Sequence, residues 1–292
     1  MRLRPPSRLR SRSSRWFRPR AWPAAPAAVL AGLISVAPLP AAPSAKASVG
    51  VSIHMGWDAC AASTAKAQAF WNNTPYWNMG LYLGGVGYGS GCKRWSSAEV
   101  GQLRSMGWQF LPLWVGLQAP CSSQPSRFSY DTATAYQQGR DEGLAVYNQM
   151  KAFGWDTANA PAIYDLENFN TADAGCMNAA KSFINGWVYQ IHLPPAQKAG
   201  VYGSACASGL SQYASIANVP DFIHGADWDG IKTTRDMACI GAGSWTNRQR
   251  HKQYQGDHNE TWNGVTMNID SDCSNGPVYP GPDAVTSPQG CE

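Results

Sequence analysis

The first 47 residues of this 292-residue chain lack any acidic side chain. Eight arginines crowd the opening twenty positions: Arg2, Arg4, Arg8, Arg10, Arg12, Arg15, Arg18 and Arg20. No two of them are adjacent, which speaks against twin-arginine export. An apolar stretch follows, centred on Val29, Leu30, Leu33, Ile34 and Val36. It is short for a membrane span, which needs roughly 20 residues. Ala45-Lys46-Ala47 then supplies a small-x-small cleavage pattern. This order predicts a secretory signal over residues 1–47 and a mature chain starting at Ser48. A basic arm for nucleic acid or lipid, and an uncleaved membrane anchor, are the other readings of the same segment.

Further absences narrow the function classes. No C-x-x-C occurs, which argues against redox catalysis and zinc fingers. The five histidines show no H-E-x-x-H spacing. No G-x-G-x-x-G follows the first strand-like run, which argues against dinucleotide binding. The glycine-rich stretch Gly84–Gly91 lacks the Lys-Ser/Thr of a phosphate loop and reads as a surface loop pinned by Cys92. Neither an internal repeat nor a Ser/Gly linker interrupts residues 48–275. Without residues 1–47 the chain holds 14 basic against 19 acidic residues, a net of −5. That balance gives little attraction to nucleic acid or anionic lipid. The expected mature protein is a secreted monomer with no nucleic-acid partner and no stable membrane insertion.

What is present begins with eight cysteines, all after the signal: Cys60, Cys92, Cys121, Cys176, Cys206, Cys239, Cys273 and Cys291. An even number in an exported chain predicts disulfides. Eight cysteines allow 105 pairings. The sequential one, 60–92, 121–176, 206–239 and 273–291, is the expectation for a chain whose successive elements are neighbours. The last pair would tie down a Pro/Gly-rich tail over residues 276–292.

Short apolar and aromatic runs recur as strand candidates. They are 49–57, 79–84, 108–115, 162–167, 199–204, 221–228, a weak 252–255, and 265–270. Helical patterns fall between several of them, at 63–72, 96–106, 131–153, 173–191 and 207–217. Ser96 and Glu99 form a capping-box pattern. Eight strands with interposed helices are the count for a single α/β domain over 48–275, a (β/α)8 TIM-type barrel. The sector between the sixth and seventh strands is expected to be irregular. An open doubly wound sheet is the alternative.

Carboxylates gather at the predicted strand ends. Asp58 closes the first, Asp165 and Glu167 the fourth, Asp227 and Asp229 the sixth, Asp270 and Asp272 the eighth. In a barrel the C-terminal strand ends converge on one face. Residues two apart on a strand point the same way, so Asp165 and Glu167 share a side. Clustered like charges raise at least one pKa, preparing one carboxyl group to donate a proton while another stays ionised. Glycoside hydrolysis needs that combination. Glu167 is the candidate general acid, with Asp165, Asp58 and Asp270 assisting. Each acid taken singly is better explained by strand-end or capping structure, and a divalent metal is a further reading of the cluster. No metal or other cofactor is required. Sugar contacts are expected from Trp57, Tyr82, Trp114, Gln118, Tyr164, Tyr202, Asp227, Trp228 and Tyr254, several of which suit a core equally well. Asn168 and Asn268 are further polar contacts, and His54 and His224 are placed near the same rim.

Five segments carry a family resemblance: Gly56-Trp-Asp-Ala-Cys60, Leu81-Tyr-Leu-Gly-Gly85, Leu111-Pro-Leu-Trp-Val-Gly-Leu-Gln-Ala-Pro-Cys121, Ile163-Tyr-Asp-Leu-Glu167 and Gly200-Val-Tyr-Gly-Ser204. The chain resembles the glycoside-hydrolase-like domain of exported actinobacterial proteins, domain of unknown function 1906, over nearly all of residues 49–273. That resemblance implies a barrel similar to the family 25 lysozymes, which cleave peptidoglycan. Asp58, Asp165 and Glu167 match the lysozyme acids by position, and Asp227 or Asp270 a later one. It implies a polysaccharide or peptidoglycan partner, bound with or without hydrolysis.

Overall fold

The computed structural model describes residues 49–280 and residue 291. The expected signal and cleavage site, and most of the tail, lie outside the described residues.

Strand β1 (Gly50–Ser52) and strand β2 (Met55–Asp58) replace the single first strand expected. The Ser52 hydroxyl accepts the His54 amide at 3.2 Å between them. The chain continues as α1 (Thr64–Asn73), β3 (Asn78–Gly84), α2 (Ser97–Met106), β4 (Gln109–Trp114) and α3 (Thr132–Ala152). Then come β5 (Pro161–Asp165), α4 (Ala174–Ile191), β6 (Lys198–Ser204), a 3₁₀ turn at Leu210–Ser215, and β7 (Phe222–Ala226). Two long strands finish the fold, β8 (Arg250–Trp262) and β9 (Val265–Val278). β9 runs past residue 275, where the barrel was expected to stop.

Strands β2 to β8 pair in parallel and in sequence order, and β9 closes the ring between β8 and β2. The result is a distorted (β/α)8-type barrel of eight strands with helices around it. β9 is antiparallel to both of its barrel neighbours. The reason is local. Asn263 and Gly264 both hold positive φ, 49° and 78°, the geometry of a tight hairpin turn matched to strand twist. Such a turn reverses the chain without a crossover helix. β1 adds an antiparallel edge pairing to the far end of β9.

Each helix start is fixed by its own cap. Ser63, Asp131 and Asp173 accept backbone amides of α1, α3 and α4, and Ser96 with Glu99 completes a capping box on α2. These bonds satisfy amides that a helix leaves without partners. The outer core lies between helices and barrel and includes Trp57, Phe70, Trp108, Phe183 and Trp187. The barrel interior holds a separate apolar cluster of Leu111, Leu113, Ile163, Phe222 and Val278.

Disulfides join Cys60 to Cys92, Cys121 to Cys176, Cys206 to Cys239 and Cys273 to Cys291. The first three link segments that follow the C-terminal ends of β2 and β3, β4 and β5, and β6 and β7. They therefore brace one face of the barrel.

Between β7 and β8 no helix forms, as the glycines there led one to expect. Arg250 organises this stretch instead. Its buried guanidinium donates to the carbonyls of Thr234, Arg235, Gly241 and Ser244. Buried Lys252 donates to both Asp229 oxygens at 2.8 and 2.7 Å, with Asp227 at 3.6 Å. Backbone acceptors that a helix would satisfy internally are satisfied here by one side chain. Replacing Arg250 by Met is expected to cost about 3 kcal/mol through orphaned carbonyls. Limited proteolysis should then cut within residues 231–249 before the rest of the fold; uniform resistance there would refute the assignment.

Candidate active site

Strand parity builds the site. Asp58, Tyr82, Asp165, Tyr202, His224 and Gln253 project inward from β2, β3, β5, β6, β7 and β8, above the apolar interior cluster. From antiparallel β9 come Asp270 and Asp272. Asp270 sits opposite Asp58 in register, and Asp272 opposite Gly56. Asp270 therefore reaches the expected rim although its strand runs the other way.

The acids are partnered in different ways. Asp58 is fully buried; its Oδ1 accepts the Tyr82 hydroxyl at 2.7 Å and its Oδ2 accepts Gln253 Nε2 at 2.9 Å. Gln253 Nε2 also donates to Asp270 Oδ2 at 3.2 Å. Asp272 meets the His224 ring at 2.9 Å with both groups completely buried. Asp165 is buried, and its carboxyl group is electrostatically coupled to that of the half-buried Glu167 two residues on. Gln118 holds that strand end, donating to the Asp165 carbonyl and accepting the Glu167 amide, each at 2.8 Å.

Burial decides the protonation states. It pushes Asp58 and Asp272 well above the ordinary carboxylate range, and the neighbouring carboxylates add to the effect. Burial likewise raises Asp165 strongly, helped by the Glu167 charge. Glu167 is raised by burial, partly opposed by its neighbour Asp165. Asp165 and Glu167 thus favour a shared proton, as two carboxyl groups in one dry space must. His224 is pushed down to about 4 by burial and stays neutral near pH 7.

Glu167 lies between two cavities. One, of about 350 Å³, is walled by Tyr202, Cys206, Asp227 and Trp228. The other, of about 330 Å³, lies against Val86, Tyr88 and Gln124. Glu167 lines both.

Of the expected sugar contacts, Tyr202, Asp227 and Trp228 line this cleft. Tyr82 faces the acids from below. Trp57, Tyr164 and Tyr254 do not reach it. Each is sequence-adjacent to an inward residue (Asp58, Asp165 and Gln253), so each faces outward. Trp57 packs on Phe70 and Trp108, and Tyr164 on Phe183 and Trp187, both in the outer core. Tyr254 packs beside the Cys273–Cys291 disulfide. Trp114 faces α3 and donates to Glu142, a half-buried acid that the sequence reading missed. Gln118 also lines the second cavity, but its amide is committed to the backbone. Asp227 accepts the Ala238 amide at 2.8 Å, which anchors the irregular sector. Asn168 lines the cleft, whereas Asn268 bonds Asp257 on the exposed hairpin. His54 stacks on Trp77 at the opposite end of β2, away from the rim. Gln253 was not anticipated; its parity with His251 on a strand following a Trp-bearing loop was the available signal. No group of His, Cys, Asp and Glu suited to a metal ion occurs among the described residues. No described helix is long and apolar enough to cross a membrane.

The raised carboxyl pKa values make a stability prediction with a definite sign. A raised folded-state pKa contributes stability that is complete below the unfolded value, about 3.9 for Asp, and is lost as pH rises through the folded value. Chemical denaturation at a series of pH values should compare wild type with Asp165→Asn, because the buried histidines, whose lowered pKa values act in the opposite sense, contribute to both alike. Asp165→Asn should lose less stability than wild type as pH rises, at about 1.4 kcal/mol per tenfold change in proton affinity removed. Parallel profiles would contradict the buried-proton assignment.

Several solved structures align with the chain. A structure of an uncharacterized B. stearothermophilus protein aligns at TM-score 0.53 and 14% identity, covering 76% of this chain and 95% of that one. The Mycobacterium tuberculosis Tat-secreted protein Rv2525c, in complex with L-tartrate, aligns at TM-score 0.48 and 13% identity, covering 76% and 96%. The catalytic domain of endolysin ply40 from bacteriophage P40 of Listeria monocytogenes aligns at 0.46 and 11%, covering 76% and 93%. The likeness to the first is one of fold. No curated protein matches the chain. The family model described as Rv2525c-like, glycoside hydrolase-like domain matches residues 68–274. With that match and a barrel carrying its acids at one rim, the chain belongs to the Rv2525c-like, glycoside hydrolase-like family.

Proposed function

We propose that the mature protein is an extracellular glycosidase acting on peptidoglycan or a related cell-wall polysaccharide, with Glu167 as general acid. The observation carrying this reading is that Glu167 lines both cavities at the end of the strand that carries buried Asp165. A sugar chain laid across both cavities would bring a glycosidic oxygen over its carboxyl group. The family membership and the four disulfides, which suit an oxidising compartment, support the setting.

The chemistry follows from the two burial states. Burial raises both groups, so the pair keeps a proton above the ordinary carboxylate range. Glu167 delivers it to the leaving oxygen as the glycosidic bond breaks. Positive charge developing on the sugar ring is offset by Asp270, the half-buried acid of the cluster, and water adds to the ring carbon to complete hydrolysis. Because Glu167 acts while protonated, activity should fall as pH rises through its raised pKa.

A second reading, binding without turnover, is favoured by one feature. Both Asp58 oxygens are occupied and the group is buried, which suits a structural acid more than a reacting one.

Wild type and Glu167→Gln are to be incubated with peptidoglycan and a panel of soluble glycans, and new reducing ends followed. Release by wild type, reduced about 10²- to 10⁴-fold in the variant, is the expected result. Glycan binding without release by either protein would favour the second reading.

A further inference from the structure

Gln253 makes four hydrogen bonds at the centre of the site. Its Nε2 donates to Asp58 Oδ2 at 2.9 Å and to Asp270 Oδ2 at 3.2 Å. Its Oε1 accepts the Tyr202 hydroxyl at 3.0 Å and Trp228 Nε1 at 2.8 Å. The side chain is buried. An indole N–H can only donate, so the atom facing Trp228 must be the amide oxygen. The NH₂ group is thereby forced toward the acids, and both of its hydrogens are used. No other orientation satisfies the partners.

Trp228 sits at the other end of this arrangement. It is 63% exposed and walls the first cavity. Its ring lies against β8 at Gly256, where an added Cβ would come within 2.2 Å of the indole. One aromatic face is thus free for a ligand while the N–H is fixed on Gln253. A sugar ring stacked on that face touches a group one hydrogen bond removed from the residue that holds two acids.

We propose that Gln253 is a positioning residue: it sets Asp58 and Asp270 against Glu167 and links their placement to the sugar-facing Trp228. The inference rests on the glycosidase reading for its purpose, though its geometry can be tested without turnover. An amide with all its hydrogen-bonding atoms engaged is held in one orientation, so a change at one partner can be passed to another.

The test uses the mature protein and two readouts. In the first, the indole N–H resonance of Trp228, assigned by its loss in Trp228→Phe, is recorded in Asp270→Ala. The resonance should move in Asp270→Ala and should not move further when Asp270→Ala is added to Gln253→Leu. No movement in Asp270→Ala alone, or equal movement in both backgrounds, overturns the proposal. The Asp270→Ala comparison decides it even if Gln253→Leu fails to fold. In the second readout, Trp228→Phe keeps an aromatic face and loses the N–H. Its kcat should fall about three- to tenfold with KM within about twofold. A raised KM at unchanged kcat would make Trp228 a platform alone. A wild type with no turnover removes the glycosidase reading and leaves this inference to the indole resonance.

Discussion

Closing the barrel brings Asp58, Asp165, Glu167, Asp270 and Asp272 into one poorly solvated space, and the rest of the site is arranged around that constraint. Five ionised carboxylates could not share it. Two devices keep the space closed. Burial drives protons onto Asp58, Asp165 and Asp272, Tyr82 and Gln253 donate to carboxyl oxygens, and His224 hydrogen-bonds Asp272. In the proposed glycosidase reading, the same arrangement would supply the proton for acid catalysis, stored on Asp165 and presented to the cleft by Glu167.

The loops above the acids are held by other means. Disulfides follow the strand ends in adjacent pairs, and Cys206 itself forms part of the cavity wall. Where no helix covers β7 and β8, Arg250 and Lys252 satisfy the loop from beneath. Both are side chains of β8, the strand that also carries Gln253. One strand therefore supports the irregular sector on its outer face and the acid cluster on its inner face. Alternation of side chains permits both tasks at once.

Asn263-Gly264 shows how a short signal can outweigh a pattern. Alternating strands and helices pointed to an eighth parallel strand, and the barrel did close with eight. The two turn residues reverse the chain, so the last strand returns directly beside β8. Asp270 reaches Asp58 by register across an antiparallel ladder, a contact that depends on pairing and not on strand direction.

Local chemistry determined the parts that need few neighbours. Capping residues placed the helix starts, apolar runs placed the strands, and cysteine order matched the disulfides because consecutive elements of a barrel are adjacent. The acids at the ends of β2 and β5 were legible because residue spacing along a strand is fixed. Which aromatics meet the cleft was decided only by the closed barrel. Trp57, Tyr164 and Tyr254 carry the same composition signal as Tyr202 and Trp228, yet their positions next to inward residues turn them into the outer core. Gln253 was invisible for a related reason. An isolated glutamine has no signature, and its role comes from four partners that lie far from it in the sequence or across the barrel. The sequence by itself determined periodicity, caps, cysteines and charge, which are local; the tertiary structure decided inside from outside and who shares a proton, because those depend on closure.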